Sequence, residues 1–363
     1  MPEEISGEYL SLLIAIQEDP FSTIDELARR TGTSKPTVAK RLRELQEKKL
    51  FRVKPLLNYY NLGQEAVDIL LETDSLDNIK RLEEIAAKHP YTTYRARCYG
   101  HVNGLLMQFR TPMGTRPYIE DLVRKLQDLG IVKSFEVLPS GSGFSERTSM
   151  RLNGWNADSM TWDFDWDEWF KIVPSKIVPE KEAEDPGKSL KWLTQKDTHI
   201  IYELMDGSRR KNIDIVKAIR DEGMPMTPQT FSRRYQMIRK ECLTGFVVTF
   251  KPEAFDIHNN VLIVGEGDEK EVQNLRARIR EHSIPFESTF RSSEKKIFWF
   301  VRLQASLLSG LLANLHSRFE EMSVYILDYN NCYFYYPWPK YLDEEQHKWM
   351  DDYNFMVTDV LKE

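Results

Sequence analysis

Residues 34–52 constrain the fold more than any other part of this sequence. Ser34 is a hydroxyl residue suited to cap a helix, and Pro36 falls in the first turn, where a missing N–H costs nothing. Three apolar residues recur at helical spacing and predict one buried stripe: Val38, Leu42 and Leu45. The other face carries cations and hydroxyls, which is typical of a helix that enters a DNA major groove and also of an ordinary solvated surface.

The flanking sequence favours DNA. A helix that starts after Ser6, a capping-box pattern at residues 23–26 and a turn around Gly32 precede the basic helix, which is the helix-turn-helix order. Residues 50–57 are predicted to form an extended wing. Between residues 29 and 54 there are ten lysine and arginine residues but only two acids. This local charge favours phosphate binding, although some winged helices bind protein partners instead.

A different pattern follows residue 63. Alternating apolar residues predict strands at 66–71, 91–99, 105–110 and 131–138, with amphipathic helices at 76–88 and 118–129. This βαββαβ order is that of a ferredoxin-like unit. Four tryptophans then crowd residues 155–169, which we interpret as an ordered arm packed on a domain, because indole rings require burial. Residues 174–188 have a linker composition.

The second half of the chain repeats the first. A shift of about 193 residues aligns Thr37 with Thr230 and Leu45 with Ile238, while Thr227 takes the capping position of Ser34. A second helix-turn-helix and a second βαββαβ unit are therefore predicted. The pattern divides the chain into winged helix-turn-helix 1 (1–60), ferredoxin-like domain 1 (61–139), arm and linker (140–190), winged helix-turn-helix 2 (191–253), and ferredoxin-like domain 2 with an aromatic tail (254–363).

Composition limits the functional classes. The chain has 363 residues, 41% of them hydrophobic and 29% charged, and a net charge of −6, so binding to nucleic acid must depend on local basic patches. The three cysteines are widely separated, which argues against a disulfide framework or a zinc site. The sequence shows neither a signal peptide nor an apolar run long enough to span a membrane. We therefore expect a cytoplasmic α+β protein with no cofactor and no metal.

The winged helix followed by a small α/β domain resembles the Lrp/AsnC (feast/famine) family of prokaryotic, archaeal or bacterial, transcription regulators over residues 6–138. The resemblance implies an effector and dimerisation domain with an amino-acid pocket at the turn in residues 99–106. Gly100, Asn103 and Gly104 would line it. The family has an acid where this chain has Asn103, and a plain turn without a ligand is the alternative.

The leading hypothesis is a DNA-binding transcription regulator built as a fused pseudo-dimer, and not an enzyme. Its partner would be double-stranded DNA, with a small-molecule effector and further homodimerisation left open. The predicted DNA-binding residues are Ser34, Lys35, Thr37, Lys40, Arg41, Arg43, Arg52, Thr227, Gln229, Thr230, Arg233 and Arg234. We place Lys40 and Arg41, and likewise Arg233 and Arg234, on the outer faces of their helices.

Two alternatives remain. Siroheme decarboxylases resemble paired Lrp/AsnC units and carry an Arg-Glu-His-x-Tyr-Asn-type stretch, whereas residues 94–103 here lack that order. The other alternative is a winged-helix adaptor that binds the transcription machinery.

Overall fold

The first elements of the chain form a winged helix-turn-helix, as the sequence predicts. The computed structural model describes residues 5–138, 145–175, 185–336 and 339–362. The elements are α1 (Gly7–Glu18), α2 (Ile24–Thr31), α3 (Lys35–Glu47) and β1 (Phe51–Leu57). Thr23 and Glu26 form the predicted capping box at the start of α2. Gly32 has a φ of 63° in the turn, and the Ser34 hydroxyl caps α3.

A small α/β unit follows, and its order βαββαβ agrees with the sequence prediction. It consists of β2 (Gln64–Glu72), α4 (Leu76–Lys88), β3 (Thr92–Gly100), β4 (Gly104–Pro112), α5 (Arg116–Asp128) and β5 (Ser134–Val137). The apolar side chains of α4 and α5 are buried at helical spacing, so both helices pack against one face of these strands.

The tryptophan-rich arm is ordered where the structure describes it. It contains β6 (Glu146–Thr148), β7 (Trp155–Asn156), β8 (Thr161–Trp162) and α6 (Trp166–Lys171). The indole N–H groups of Trp162, Trp166 and Trp169 donate to backbone carbonyls at 3.1, 2.9 and 2.7 Å, all in the second half of the chain. The glycine- and serine-rich residues 140–143 and most of the predicted linker, 176–184, lie outside the described residues.

The second half of the chain repeats this order of elements. Three helices and a strand come first: α7 (Gln195–Gly207), α8 (Asn212–Asp221), α9 (Pro228–Glu241) and β9 (Leu243–Phe250). The next six are β10 (Asn259–Gly267), α10 (Glu269–Glu281), β11 (Ser288–Ser292), β12 (Lys296–Leu303), α11 (Ala305–His316) and β13 (Phe319–Phe334). A C-terminal segment contains β14 (Leu342–Asp343), β15 (Lys348–Trp349), a π-helical turn (Asn354–Thr358) and α12 (Asp359–Leu361).

The strands of both α/β units join one nine-stranded sheet in the order β5-β2-β4-β3-β13-β10-β12-β11-β6. The joint is the antiparallel pair β3 and β13, and β13 is long enough to pair with β10 on one side and β3 on the other. Asp68 of β2 forms an ion pair with Arg291 of β11, although these strands lie near opposite ends of the sheet. The sheet therefore curls until its two ends face each other across an interior.

The packing of the two halves is crossed, because the first three helices of each half lie against the α/β unit of the other half. One core cluster combines the helices α1–α3 and the tryptophan arm with the strands and helices of the second α/β unit. A second cluster combines the first α/β unit with α7–α9 and the C-terminal segment, where the Trp349 indole donates to the Leu62 carbonyl at 2.6 Å. The strands β1 and β9 pair with each other, from Phe51 opposite Phe250 onward. The domain boundaries proposed from the sequence stay predictions.

Within the described residues, the helices are too short or too polar to cross a bilayer. The same residues contain no group of three or more His, Cys, Asp or Glu side chains that could hold a metal ion.

Candidate functional site

The outer face of α3 is the first candidate site. Val38, Leu42 and Leu45 are buried, with 1%, 9% and 1% of their surface exposed, so the predicted helix phase is confirmed. On the opposite face, the Lys40 side chain is 77% exposed and Arg43 is exposed. Lys35, in the first turn of α3, is also exposed and pairs with exposed Asp25 of α2 at 2.7 Å, a surface pair of little energetic weight.

The start of α3 is shaped by its cap. The Ser34 hydroxyl accepts from the backbone N–H of Thr37 and shares a 2.8 Å hydrogen bond with the Thr37 hydroxyl. Both residues lie at the exposed N-terminus of the helix, where backbone N–H groups favour an anion such as a phosphate. Their role in DNA binding stays a prediction.

Arg41 does not lie on the outer face, contrary to the sequence expectation. Its guanidinium forms an ion pair with Glu8 on α1 and lies 5.7 Å from the centre of the Tyr9 ring, and its side chain is only 16% exposed. The reason is helical phase, because residue 41 follows Val38 by three positions and precedes Leu45 by four. Arg41 therefore ties α3 to α1.

Arg234 repeats this arrangement in the second half. It forms an ion pair with Asp197, whose side chain is fully buried, and lies 5.2 Å from the Trp192 ring centre. The expectation that Arg234 faces outward is therefore wrong. Arg233 and Gln229 are exposed on α9, and the Thr227 side chain caps the helix by accepting from the Thr230 N–H at 3.1 Å.

Arg52 was predicted to contact DNA from the wing. The structure places it beside α7, 3.5 Å from the Asp206 carboxylate, and it donates to the Tyr336 hydroxyl at 3.2 Å. Because β1 pairs with β9 along its length, this wing is also engaged with the second half of the chain.

The turn between Gly100 and Gly104 is packed against neighbouring backbone. A Cβ atom on Gly104 would lie 1.8 Å from the Leu71 carbonyl oxygen, and one on Gly100 would lie 2.5 Å from that of Val324. Asn103 accepts a hydrogen bond from the Thr73 N–H through its carbonyl at 3.0 Å. These glycines allow strands to approach each other, and the predicted effector role of the turn stays a prediction.

An arginine cluster inside the sheet was not found from the sequence. Asp68 of β2 is fully buried, and its two carboxylate oxygens accept from Arg110 at 3.2 Å, from Gln108 at 3.1 Å and from Arg291. The pKa of Arg291 is lowered to about 10, chiefly by burial and also by the nearby Arg110 and Arg147 guanidinium groups, against the opposing effect of Asp68.

Arg147 of β6 completes the cluster. Its side chain is exposed, yet desolvation, followed by the charge of Arg110, lowers its pKa. Arg147 lies opposite Thr289 of β11, two residues from Arg291, so the strand pairing places Arg147 and Arg291 on the same face of the sheet. Arg147 donates to the Ser145 hydroxyl at 3.2 Å and forms no ion pair with the described residues.

A second set of cations lies near the first. Arg302 of β12 pairs with Glu287 at 3.2 Å and lies 5.6 Å from the ring centres of Phe300 and Phe334. Burial, followed by the charge of Arg52, lowers the pKa of Lys54 on β1. A charged residue beside or within an apolar strand was the signal in the sequence that could have located these groups. Asp68 lies within residues 66–71, and Arg302 directly follows the apolar residues 297–301.

The N-terminal part of the chain matches a known protein family. Residues 10–51 match the winged helix-turn-helix DNA-binding family. Among proteins with curated descriptions, none is similar in sequence to this chain.

Solved structures are similar over most of the chain. The siroheme decarboxylase NirDL covers 88% of this chain and 91% of its own, with 16% identity and a TM-score of 0.52. Its co-complex with an iron-uroporphyrin III analogue gives the same coverage, with 17% identity and a TM-score of 0.51. An AsnC family transcriptional regulator from Agrobacterium tumefaciens matches 37% of this chain and 88% of its own, with 19% identity and a TM-score of 0.31.

These matches correct one expectation. We expected a protein that is not an enzyme, but structures sharing the fold over 88% of the chain are those of a decarboxylase. The overall fold is therefore that of NirDL, with a winged helix-turn-helix at the N-terminus.

Proposed function

We propose that this chain is a DNA-binding transcription regulator whose helix α3 enters the major groove. The observation that carries the proposal is the exposed cationic face of α3, formed by Lys40 and Arg43 with Lys35 exposed at the first turn, within a segment that matches the winged helix-turn-helix DNA-binding family. Lysine and arginine side chains on such a face pair with phosphates and displace counterions from DNA.

We infer further that α7–α9 form a second head and that the chain is an internal duplicate. Support comes from the repeated order of elements and from the pairing of β1 with β9, which joins the two units. Arg233 and Gln229 are the exposed side chains that α9 would present to DNA. Two heads on one duplex would read unlike half-sites, about 34 Å or a multiple of it apart.

A gel-shift titration of full-length protein with genomic fragments tests this proposal. The double variant Lys40→Ala/Arg43→Ala should weaken binding and make its dependence on salt concentration shallower, because two phosphate contacts are lost. The control Arg124→Ala/Lys125→Ala removes two exposed cations from α5 and should change neither quantity. If the α3 variant binds with wild-type affinity and salt dependence, α3 is not the DNA-binding surface.

A tetrapyrrole enzyme related to siroheme decarboxylase is the second candidate. The similarity of fold to NirDL over 88% of the chain favours it, and the interior arginines could pair with the carboxylates of such a substrate. Incubation with siroheme followed by mass spectrometry tests for loss of carboxyl groups. Unchanged siroheme after prolonged incubation with the folded protein would exclude this activity.

A further inference from the structure

We propose that Lys54 is a reactive amine that condenses with aromatic aldehydes carrying one negative charge, in a site between strand β1 and the end of strand β13. The Lys54 side chain lies on the opposite face of β1 from that of buried Val53, because successive residues of a strand point to opposite faces. The proposal concerns a lysine that neither DNA binding nor decarboxylation, as proposed above, involves.

Two aromatic rings border the Lys54 ammonium. Its Nζ lies 6.0 Å from the ring centre of Phe334 and 5.8 Å from that of Tyr336. Among the residues that the structure describes, no carboxylate or other hydrogen-bond acceptor pairs with this half-buried group. Both distances are near the outer limit of a cation–π contact, so the rings compensate only in part for the water that the ammonium has lost.

Two guanidinium groups share these surroundings. Arg52 lies two residues before Lys54 on the same face of β1 and donates to the Tyr336 hydroxyl at 3.2 Å. The Arg302 guanidinium lies 5.6 Å from the centre of the Phe334 ring, so Lys54 and Arg302 contact the same ring. The two rings therefore hold three cations close together.

The cations outnumber the carboxylates beside them. Asp206 lies 3.5 Å from Arg52, and Glu287 lies 3.2 Å from Arg302, which leaves Lys54 as the excess charge. Burial, followed by the charge of Arg52, lowers the pKa of Lys54, and Arg302 adds to this effect while Glu287 and Asp206 oppose it. A larger fraction of this amine is consequently neutral near physiological pH than of an exposed lysine.

A neutral lysine amine is a nucleophile for carbonyl carbon. Its nitrogen lone pair forms the new C–N bond while the carbonyl π pair moves to oxygen, and one proton passes from nitrogen to that oxygen. The second nitrogen proton and the hydroxyl group then leave as water, which gives a C=N imine without any oxidant or reductant. Desolvation and a neighbouring cation are two ways in which proteins activate such lysines.

The surroundings define the class of aldehyde. Phe334 is 51% exposed, so its ring has an open side on which a planar aromatic compound can stack. The excess positive charge favours one anionic group on that compound, and the Arg52 side chain, 38% exposed, is accessible to it. An aromatic aldehyde with one anionic substituent therefore suits the site better than a neutral or aliphatic one.

Reductive trapping in the full-length protein tests the proposal. The probe is para-carboxybenzaldehyde, with benzaldehyde, which lacks the charge, and butanal, which lacks charge and ring, as comparison aldehydes. Cyanoborohydride reduces each imine to a stable amine near neutral pH, and peptide mass spectrometry locates the modified lysine. Lys54 should react with the probe about 10-fold faster than Lys217, an exposed lysine on α8. This preference should fall from the probe to benzaldehyde to butanal, and it should vanish in urea, because it depends on the folded site.

The variant Arg52→Gln tests the activation of the amine. Removing this cation should slow the reaction of Lys54 at neutral pH and move its rise with pH to higher values, towards the profile of Lys217. Arg124→Gln, which removes an exposed arginine from α5, is the matched control and should leave both quantities unchanged. Reaction of Lys54 no faster than that of Lys217, a preference that persists in urea, equal preference for butanal, or identical behaviour of Arg52→Gln and wild type would overturn the proposal.

Discussion

Arg234 on α9 forms an ion pair with the buried carboxylate of Asp197 on α7. The pair holds the helix proposed to contact DNA against the first helix of its own unit. Arg41 and Glu8 make the same connection between α3 and α1 in the first half, where Glu8 is 71% exposed. An arginine in the basic stretch of each half therefore serves the fold.

Arg234→Ala should destabilise the protein by about 3–5 kcal/mol, because it leaves the Asp197 carboxylate buried without its counter-charge. Urea unfolding would measure the loss. The neighbouring variant Arg233→Ala removes an exposed arginine from the same helix and should change stability by less than about 0.5 kcal/mol. Equal stabilities for the two variants would contradict this assignment.

Leu42→Ala tests the buried stripe of α3. Leu42 packs in the core beneath the helix, so its truncation should cost about 2–5 kcal/mol in unfolding free energy. Leu129→Ala is the control, since Leu129 is 62% exposed at the end of α5. A loss below about 1 kcal/mol at Leu42 would be inconsistent with a close-packed site.

Gly104→Ala tests the structural role of the turn after β3. Its methyl group would meet the Leu71 carbonyl oxygen, so the backbone of β2 or β4 must shift. Overpacking of this kind should lower the unfolding free energy by about 1–3 kcal/mol. Gly7→Ala, at an open position in α1, should be neutral or slightly stabilising in the same assay. A Gly104→Ala variant as stable as Gly7→Ala would show that the turn has room for a side chain.

His89 should make stability depend on pH. The ring is buried against Phe109, and burial lowers its pKa from 6.5 to about 3. The unfolded chain therefore binds a proton between these values that the folded chain does not, and stability falls as the pH drops below about 6.5. The expected loss from this residue is about 2 kcal/mol between pH 7 and pH 5.

Urea unfolding of wild type at the two pH values measures this loss. His89→Gln should lack the His89 part of it, whereas His258→Gln, which alters an exposed ring, should retain it. The same pH dependence in His89→Gln and wild type would assign the effect to other groups.

Local signals predicted most of the first half. The capping residues Thr23 and Ser34 mark the starts of α2 and α3, and strand alternation locates β2 to β5. The helical spacing also places Arg41 beside Val38, but the charge of Arg41 led to the prediction that its side chain faces outward. Contacts between distant strands could not be read in this way, because the pairing of Asp68 with Arg291 depends on how the whole sheet curls.

The crossed packing has a consequence for how the polypeptide can be divided. The N-terminal helices share a core with strands encoded after residue 258, and the C-terminal segment covers the first α/β unit. A protease cut between residues 175 and 185 would consequently leave one noncovalent particle. A gene split at that point would encode two polypeptides, neither able to complete its own core, which would fold together as an obligate heterodimer.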